Sequence, residues 1–425
     1  MARERRDPRP TGTSRTGTSR TGTPRTGAPR GGTSRAGGPS RQQPSSGRNQ
    51  PRPTTPPAPT TRIELTFLPG LGDVLRDEVA RVLSPARPAT PVPGRDDALV
   101  VTLTGPVGTV LADVRRLRTA VAAFVWLHFD VPRPRSLVSG DHLARIVDAV
   151  YASLRAAGSS SFRFEAAGAD SAVFARLADE LRRATGLAYD PEHGELVVKV
   201  RRGTARGVEQ RANQGAAREV DPGWDVLVRI GPRPLSARTW RVADFPGAAN
   251  ATIAAAMVAL AGPRDDERVL NLMCGSGTLL VERLLAAGAA QAVGVDVAPD
   301  ALDAAARNVE AAGLSRRVTL LTADALAPDS WLPAAGGAGF DLVLADPPWG
   351  ALHGSHDDAE RVHTGLLRAA HDVTAPGARL VVLTHEVKVM ERCVRAADAL
   401  WRAPQPPVRV YAKGHHPRIW LLHHL

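Results

Sequence analysis

The sequence predicts an α/β protein in three parts: a disordered basic tail, a mixed α+β region and a C-terminal doubly wound domain. Residues 1–61 contain no Val, Ile, Leu, Phe, Tyr or Trp, so they cannot bury a core. Residues 62–235 alternate strand-like and helix-like segments in irregular order. From residue 251, apolar strand-like runs alternate strictly with helical segments, which is typical of a parallel sheet covered by helices on both faces.

The tail carries most of the charge of the chain. It holds a pentad repeat from Thr11 to Arg35, twelve arginines, no lysine and two acids. Its net charge of +10 is nearly the whole +11 of the chain, so the remaining residues are almost neutral overall. Two interpretations remain open: an arm that follows nucleic-acid phosphates, or a solvated extension with incidental charge.

Hydrophobic periodicity predicts the elements of the mixed region. Asp73 is expected to cap the first helix. The predicted strands are Ile63–Phe67, Ala98–Thr104, Phe124–Phe129, Phe162–Ala166, Glu195–Val200 and Asp225–Ile230. The predicted helices are Asp73–Leu83, Val107–Arg118, Asp141–Leu154 and Ser171–Thr185.

Apolar runs predict the strands of the C-terminal domain, residues 251–425, which follows a linker at 236–250. Continuous Val- and Leu-rich runs belong to parallel strands buried on both faces, and ligands bind at the carboxyl ends of such strands. The runs are Arg268–Leu272, Ala292–Val295, Val318–Leu321, Phe340–Ala345 and Ala378–Thr384.

Composition argues against several classes of protein. The two cysteines, Cys274 and Cys393, allow no disulfide framework and fit a cytoplasmic protein. No apolar run reaches the roughly 20 residues of a membrane span, and the N-terminus shows no hydrophobic signal segment. The histidines near the C-terminus lack companion cysteines or carboxylates, so we expect no metal site.

Two glycines follow the first predicted strand of the C-terminal domain. In the segment NLMCGSGTLLVE, from Asn271 to Glu282, Gly275 and Gly277 allow a tight turn and a close approach of the backbone to a ligand. Leu280 stands where a dinucleotide fingerprint has its third glycine, which argues against NAD or FAD. Two such glycines are also typical of a simple turn into a helix.

An aspartate follows each of the next two strands. Asp296, at the tip of GVD, lies nineteen residues after Gly277, where an acid accepts hydrogen bonds from the ribose hydroxyls of an adenosine. Asp324, in TAD, is placed to meet the adenine amino edge. Each aspartate also has a purely structural interpretation as the cap of a following helix or turn.

The segment DPPWG, from Asp346 to Gly350, is the most informative motif. Its two prolines fix the backbone after a buried strand and aim carbonyl groups outward. An exocyclic base amine can pyramidalise and expose its lone pair when its hydrogens bond the Asp346 carboxylate and the Pro347 carbonyl. Trp349 can stack on a base that has left its helix or loop. The residues therefore predict methyl transfer to an exocyclic base nitrogen.

These motifs, in this order, resemble those of a known family. The segment Phe245–Met257, followed by MCGSGTLLVE, GVD, TAD and DPPWG, resembles the THUMP-domain-linked RNA guanine-N2 methyltransferases, which act on tRNA or large-subunit rRNA. Leu68–Leu75 resembles the start of a ferredoxin-like domain, and the strands near Phe162 and Glu195 resemble THUMP strands. The resemblance implies ferredoxin-like and THUMP-like RNA-binding modules at 62–235 and a Rossmann-like, S-adenosylmethionine (SAM)-dependent methyltransferase domain at 251–425.

The resemblance also implies roles for single residues, with SAM as cofactor and RNA as partner. The implied target-amine site consists of Asp346, Pro347, Pro348 and Trp349. The implied cofactor-binding residues are Asn271, Cys274, Gly275, Gly277, Thr278, Asp296 and Asp324. Two positions depart from the family pattern. Asn271 stands where Asp is usual, which predicts weaker cofactor binding, and Trp349 stands where Tyr or Phe is commoner.

Several functions stay open on the sequence. The leading hypothesis is methylation of guanosine N2 by a monomer, with tRNA preferred over 23S rRNA. Adenine-N6 methylation of DNA or RNA is the alternative, because the Asp-Pro-Pro-aromatic turn serves that chemistry too. An RNA-binding protein with a weakened cofactor site is the third, on the ground of Asn271. The stretch Lys199–Arg241, with ten basic and four acidic residues, is either an RNA-facing surface or a solvated face.

Overall fold

The computed structural model describes residues 58–203, 221–348 and 356–425. Most of the predicted tail, Trp349 and the middle of the stretch Lys199–Arg241 lie outside these residues. Within the described ranges, no helix combines the length and the apolar character needed to cross a lipid bilayer.

The first part of the described chain forms a mixed sheet. Its strands are β1 (Thr60–Thr66), β2 (Thr90–Pro91), β3 (Ala98–Thr104), β4 (Ala122–Phe129), β5 (Ser161–Ala166), β6 (Ala188–Tyr189), β7 (Leu196–Arg202) and β8 (Trp224–Arg229). The helices beside it are α1 (Gly72–Leu83), α2 (Val107–Val114), α3 (Gly140–Ala156) and α4 (Ala172–Thr185), with a 3-10 turn at Pro134–Val138. The strand order is β2-β3-β1-β4-β8-β7-β5-β6. Among the described strands of this first sheet, β5 pairs in parallel with β6 and β7, and the other pairs are antiparallel.

The predicted strands and helices of this region are confirmed, with two local errors. Asp73 does not cap α1: the helix begins at Gly72 after Leu71, and Asp73 lies in the first turn, where its charge still favours the helix N-terminus. Helix α2 ends at Val114 rather than at the predicted Arg118. The buried Glu78 carboxylate accepts the backbone N–H of Arg118 at 2.8 Å, which draws this segment out of the helix.

The second part of the chain forms the predicted α/β domain. Its strands are β9 (Arg268–Leu272), β10 (Gln291–Asp296), β11 (Thr319–Thr322), β12 (Phe340–Ala345), β13 (Thr374–Thr384), β14 (Trp401–Arg402), β15 (Val408–Arg409) and β16 (Arg418–His424). Its helices are α5 (Ala251–Ala261), α6 (Thr278–Ala286), α7 (Pro299–Ala311), α8 (His356–Val373) and α9 (Val387–Ala396), with 3-10 turns at Ser315–Arg317 and Pro328–Ser330. The order is β11-β10-β9-β12-β13-β16-β14, with β15 also paired to β16.

This second sheet is buried on both faces, as the apolar runs predict. Strands β9 to β13 are parallel, and β16 joins β13 antiparallel. Successive side chains of a strand point to opposite faces. Val269 therefore packs against α5 and α6, while its neighbour Leu270 packs in the separate core that contains α8 and α9. The result is a Rossmann-like domain.

A glycine turn after β1 docks the first sheet region onto the second. Leu71 and Val74 at the start of α1 belong to the core of the second sheet. The Pro69 carbonyl accepts the backbone N–H of Tyr411 at 2.9 Å. Gly70 has φ +98°, and a Cβ built on it would lie 1.8 Å from the carbonyl oxygen of Arg409. Only glycine allows this approach.

A buried glutamate on α6 forms the second tie between the two regions. Glu282 is 0% exposed, so a negative charge on it is stable only if cationic partners compensate it. Its Oε2 accepts a hydrogen bond from Arg118 Nε, and its Oε1 accepts one from Arg238 Nε, each at 2.7 Å. Arg118 follows α2, whereas Arg238 lies in the connection after β8. The carboxylate thus holds three segments together.

Candidate active site

A cavity of about 810 Å³ lies at the carboxyl ends of the parallel strands. Strand β9 has β10 on one side and β12 on the other, so the chain leaves it in opposite directions and opens a crevice there. The volume is in the range of small-molecule sites, about 300–1,000 Å³. The cavity is lined by residues from 245–249, by the residues that follow β9, β10, β11 and β12, and by two residues of α8.

The loop after β9 has unusual backbone geometry. Met273, Gly275 and Gly277 all have positive φ, at 52°, 53° and 75°. For Met273 this conformation costs roughly 1–2 kcal/mol, a strain that the two glycines avoid. Gly277 is the N-cap residue of α6 and does not line the cavity, because it faces Ala305 of α7. Gly275 lines it.

Asp296 has both a structural role and a place on the cavity wall. Its Oδ2 accepts the backbone N–H of Gly275 at 2.8 Å, and its Oδ1 accepts that of Ala298 at 3.0 Å. These bonds tie the β9–α6 loop to the β10–α7 loop. Each carboxylate oxygen has further acceptor capacity. Because Asp296 also lines the cavity, the structural interpretation and the ligand-binding one are compatible.

Asp324 is arranged in the same way after β11. Its Oδ1 accepts the backbone N–H of Leu326 at 2.9 Å and so closes a turn. Asp324, Ala325 and Leu326 all line the cavity. A carboxylate therefore stands beside an apolar wall, an arrangement that suits an aromatic ring with a polar edge.

Asp346, Pro347 and Pro348 line the cavity after β12. The Oδ1 atom of Asp346 is buried and has no hydrogen-bond partner among the described residues. Burial raises the pKa of Asp346 to about 7. The residue as a whole is only half-buried, so water reaches part of the side chain. Because desolvation acts on the charged atoms, the burial of this oxygen determines the direction of the shift.

Two of the candidate cofactor-binding residues, Asn271 and Gly277, do not line the cavity. Asn271 is 0% exposed within β9 and does not line the cavity. Its Nδ2 donates to the Leu344 carbonyl of β12 at 3.0 Å, while its Oδ1 is buried without a described partner. An Asp in this position would turn a carboxylate oxygen toward that carbonyl. Cys274 does line the cavity, and burial raises the pKa of its thiol, so the thiol stays neutral.

The structure adds residues that sequence reasoning missed. Arg241 Nη2 donates to the Ala249 carbonyl and to Thr278 Oγ1, each at 2.6 Å. Both acceptors belong to residues of the cavity wall, so Arg241 braces that wall from behind. Arg361 of α8 lines the cavity directly. No local pattern marks these arginines: Arg241 meets Thr278 from 37 residues away, and Arg361 reaches the cavity through the packing of α8.

The structure thus brings together most of the candidate residues. Those on the cavity wall are Cys274, Gly275, Thr278, Asp296, Asp324, Asp346, Pro347 and Pro348. Trp349 lies outside the described residues, so its position is not assigned. In the part of the chain that is described, His, Cys, Asp and Glu side chains form no group of three or more that could hold a metal ion.

Comparison with known proteins gives consistent matches. Residues 238–417 match the family described as UPF0020, RMKL-like, methyltransferase domain. The tRNA (guanine(6)-N2)-methyltransferase of Thermus thermophilus is 29% identical over 276 residues, which cover 63% of this chain and 74% of that protein. The enzyme of the same name from Methanocaldococcus jannaschii is 24% identical over 221 residues, which cover 40% of this chain and 57% of that protein.

The fold is shared with a solved structure. The crystal structure of TrmN from Thermus thermophilus aligns with a TM-score of 0.61 and 24% identity, over 86% of this chain and 100% of that one. The likeness concerns the fold, and the family match concerns the domain that contains the cavity. Residues 238–417 thus match a methyltransferase domain of the UPF0020, RMKL-like kind, and the chain is a SAM-dependent methyltransferase.

Proposed function

We propose that this enzyme transfers a methyl group from SAM to the exocyclic N2 of a guanosine in tRNA. The observation that carries the proposal is the buried Asp346 Oδ1 on the wall of the cavity, which has no hydrogen-bond partner among the described residues. A buried acceptor in this state is stabilised by a ligand that donates an N–H, as an exocyclic amine does. The relatives named as tRNA (guanine(6)-N2)-methyltransferases support guanine, tRNA and nucleotide 6.

The cavity residues suit SAM as the methyl donor. The free acceptor capacity of Asp296 fits ribose hydroxyls, and Asp324 beside Leu326 fits the edge and face of adenine. Cys274, Gly275 and Thr278 offer backbone and side-chain groups at the start of α6. Gly277 and Asn271 support this wall from behind. When bound, SAM supplies an electrophilic methyl group.

The chain itself prepares the nucleophile. The target amine donates its hydrogens to the Asp346 carboxylate and to the Pro347 carbonyl, whose direction the Pro347–Pro348 turn presets. The nitrogen then pyramidalises and its lone pair becomes available. After transfer the nitrogen is cationic and must lose a proton. Asp346, with a pKa of about 7, can take that proton at neutral pH. Stacking of Trp349 on the base stays a prediction, because Trp349 lies outside the described residues.

The remaining parts of the chain are assigned to substrate binding. We infer that residues 62–235 form ferredoxin-like and THUMP-like modules that bind the RNA, joined by the linker at 236–250 to the catalytic domain at 251–425. A monomer suffices, since each RNA molecule offers one site. Cytoplasm is the expected location, because tRNA is the expected substrate.

The deciding experiment combines the purified protein, unmodified tRNA transcripts and SAM, followed by nucleoside mass spectrometry and mapping of the modified nucleotide. We expect N2-methylguanosine, at nucleotide 6. N6-methyladenosine instead would overturn the guanine assignment in favour of the adenine alternative. Activity on 23S rRNA fragments but not on tRNA would change the assigned substrate from tRNA to 23S rRNA. RNA binding with no measurable affinity for SAM would favour a non-catalytic RNA-binding protein.

A further inference from the structure

We propose that a second cleft, lined by arginines, binds a backbone phosphate of the RNA substrate; this proposal rests on the RNA methyltransferase function above. The cleft has a volume of about 260 Å³ and lies between the end of α2 and the connection after β8. Its lining contains no acidic side chain among the described residues. The arginines that line it, here called the arginine cleft, are Arg115, Arg116, Arg118, Arg233 and Arg238.

Two of these arginines form the floor of the cleft. Arg118 and Arg238 share the buried Glu282 carboxylate. Each guanidinium nitrogen of Arg238 has an acceptor, since Nη1 donates to the Leu235 carbonyl and Nη2 to the Arg118 carbonyl. In Arg118, by contrast, Nη2 is buried without a hydrogen-bond partner among the described residues. One donor in the floor therefore lacks the acceptor that a buried guanidinium requires.

The other three arginines form an exposed rim whose charge is compensated only weakly by the described residues. Arg233 and Arg115 have no carboxylate partner in the ranges that the structure describes, and Arg115 donates only to the carbonyl of Ala156. Arg116 pairs with Asp113 at 3.2 Å, but both side chains are more than half exposed, so the pair is weak. Like charges gathered without anions repel one another. An incoming anion removes that repulsion.

A simpler explanation covers only part of this arrangement. Arg115 and Arg116 follow the C-terminus of α2, where the helix dipole favours cations. That explanation does not account for Arg233, which reaches the cleft from the connection after β8. It also leaves the unpartnered Arg118 Nη2 unexplained. A bound phosphate accounts for all of them, since each guanidinium group can donate two parallel N–H bonds to phosphate oxygens.

The cleft is beside the active-site cavity. Arg238 bonds Glu282, and three residues later Arg241 bonds Thr278 on the cavity wall. Thr278 and Glu282 are four residues apart on α6, about 6 Å along the helix axis. The connection after β8 therefore runs along α6 from the cleft to the cavity. An RNA strand whose base occupies the cavity has phosphates near enough to reach the cleft.

The test uses two matched double variants of the full-length protein. Arg115→Ala with Arg233→Ala removes two rim charges. Arg395→Ala with Arg402→Ala removes two equally exposed charges from α9 and β14. Affinity for an unmodified tRNA transcript is measured by fluorescence anisotropy over a series of salt concentrations. SAM affinity by calorimetry and the thermal midpoint serve as checks of the fold.

The expected result is specific to the rim variant. Because both rim arginines contact the same phosphate, the double variant loses one phosphate contact. That loss weakens RNA binding roughly 5- to 8-fold at about 0.1 M salt and lowers the slope of log K against log salt by about 0.7–0.9. SAM affinity and the thermal midpoint stay unchanged, and the control variant binds RNA like the wild type. Weaker binding by the rim variant supports the cleft even if no methyl transfer to RNA is detected, so the two proposals fail separately.

A rim variant whose RNA affinity and salt slope equal those of the wild type would overturn the proposal. If inorganic phosphate then raises the thermal midpoint of the wild type but not of the rim variant, the cleft is instead a site for free anions.

Discussion

Replacing Asp346 with Asn is expected to abolish methyl transfer and, at pH 8, to stabilise the fold. The variant keeps the size of the side chain but removes its charge. An amide cannot provide the second acceptor oxygen or take a proton, so catalysis suffers. The folded state, however, no longer holds a buried carboxylate oxygen for which the described part of the chain provides no hydrogen-bond partner.

The magnitude follows from the pKa of Asp346. Burial raises that pKa from 3.8 to about 7 in the folded protein, which corresponds to an upper limit of roughly 4 kcal/mol. Between these two pH values the folded state binds a proton that the unfolded state has released, so stability falls as the pH rises. The full cost is present above about pH 7. Because the residue is half-buried, we expect a gain of about 1–3 kcal/mol for the variant at pH 8.

The assay is thermal unfolding of wild type and variant at pH 5 and pH 8, without SAM. A gain of this size raises the midpoint by roughly 2–6 °C at pH 8. At pH 5 the folded wild-type carboxyl is protonated but the unfolded one is mostly ionised, so roughly two fifths of the difference remains; it disappears only below the unfolded pKa of 3.8. The control Asp266→Asn removes a charge whose side chain is 90% exposed and is expected to change neither midpoint. Wild-type kcat/KM should rise with pH up to about 7 and then level off.

Two results would refute this reasoning. A variant less stable than wild type at pH 8 would mean that the carboxylate is satisfied in the folded protein. An equal difference at pH 5 and pH 8 would mean that the effect does not come from ionisation.

Three further substitutions test the contacts that position the site. Gly70→Ala should lower the free energy of unfolding in urea by roughly 2–4 kcal/mol. The control Gly94→Ala should lower it by about 1 kcal/mol, because Gly94 also has a positive φ but nothing lies within 4 Å of a Cβ built on it. Equal losses would contradict the docking contact. Glu282→Gln should cost about 3–5 kcal/mol, because it leaves buried arginines without their anion, and unchanged stability would contradict this. Asp296→Asn loses one of two backbone N–H bonds and should weaken SAM binding about 10- to 100-fold by calorimetry; an unchanged Kd would exclude Asp296 from the cofactor site.

The sequence by itself determined the architecture of the C-terminal domain and the order of its motifs. Runs such as Phe340–Ala345 are apolar apart from the half-buried Asp341, and a strand buried on both faces requires that pattern whatever packs against it. The motifs follow such strands, and the carboxyl ends of parallel strands share one edge of a sheet. Their convergence on one cavity was therefore predictable.

Only the tertiary structure decided which polar groups meet. Nothing local indicates that Asn271 faces the Leu344 carbonyl rather than the cavity, or that Glu282 joins Arg118, which lies 164 residues away. The arginine cleft likewise combines the connection after β8 with the end of α2. Periodicity reports which face of an element is buried, because burial acts on each side chain separately. The partner of a buried charge depends on how whole elements pack, and that information is not contained in any single segment.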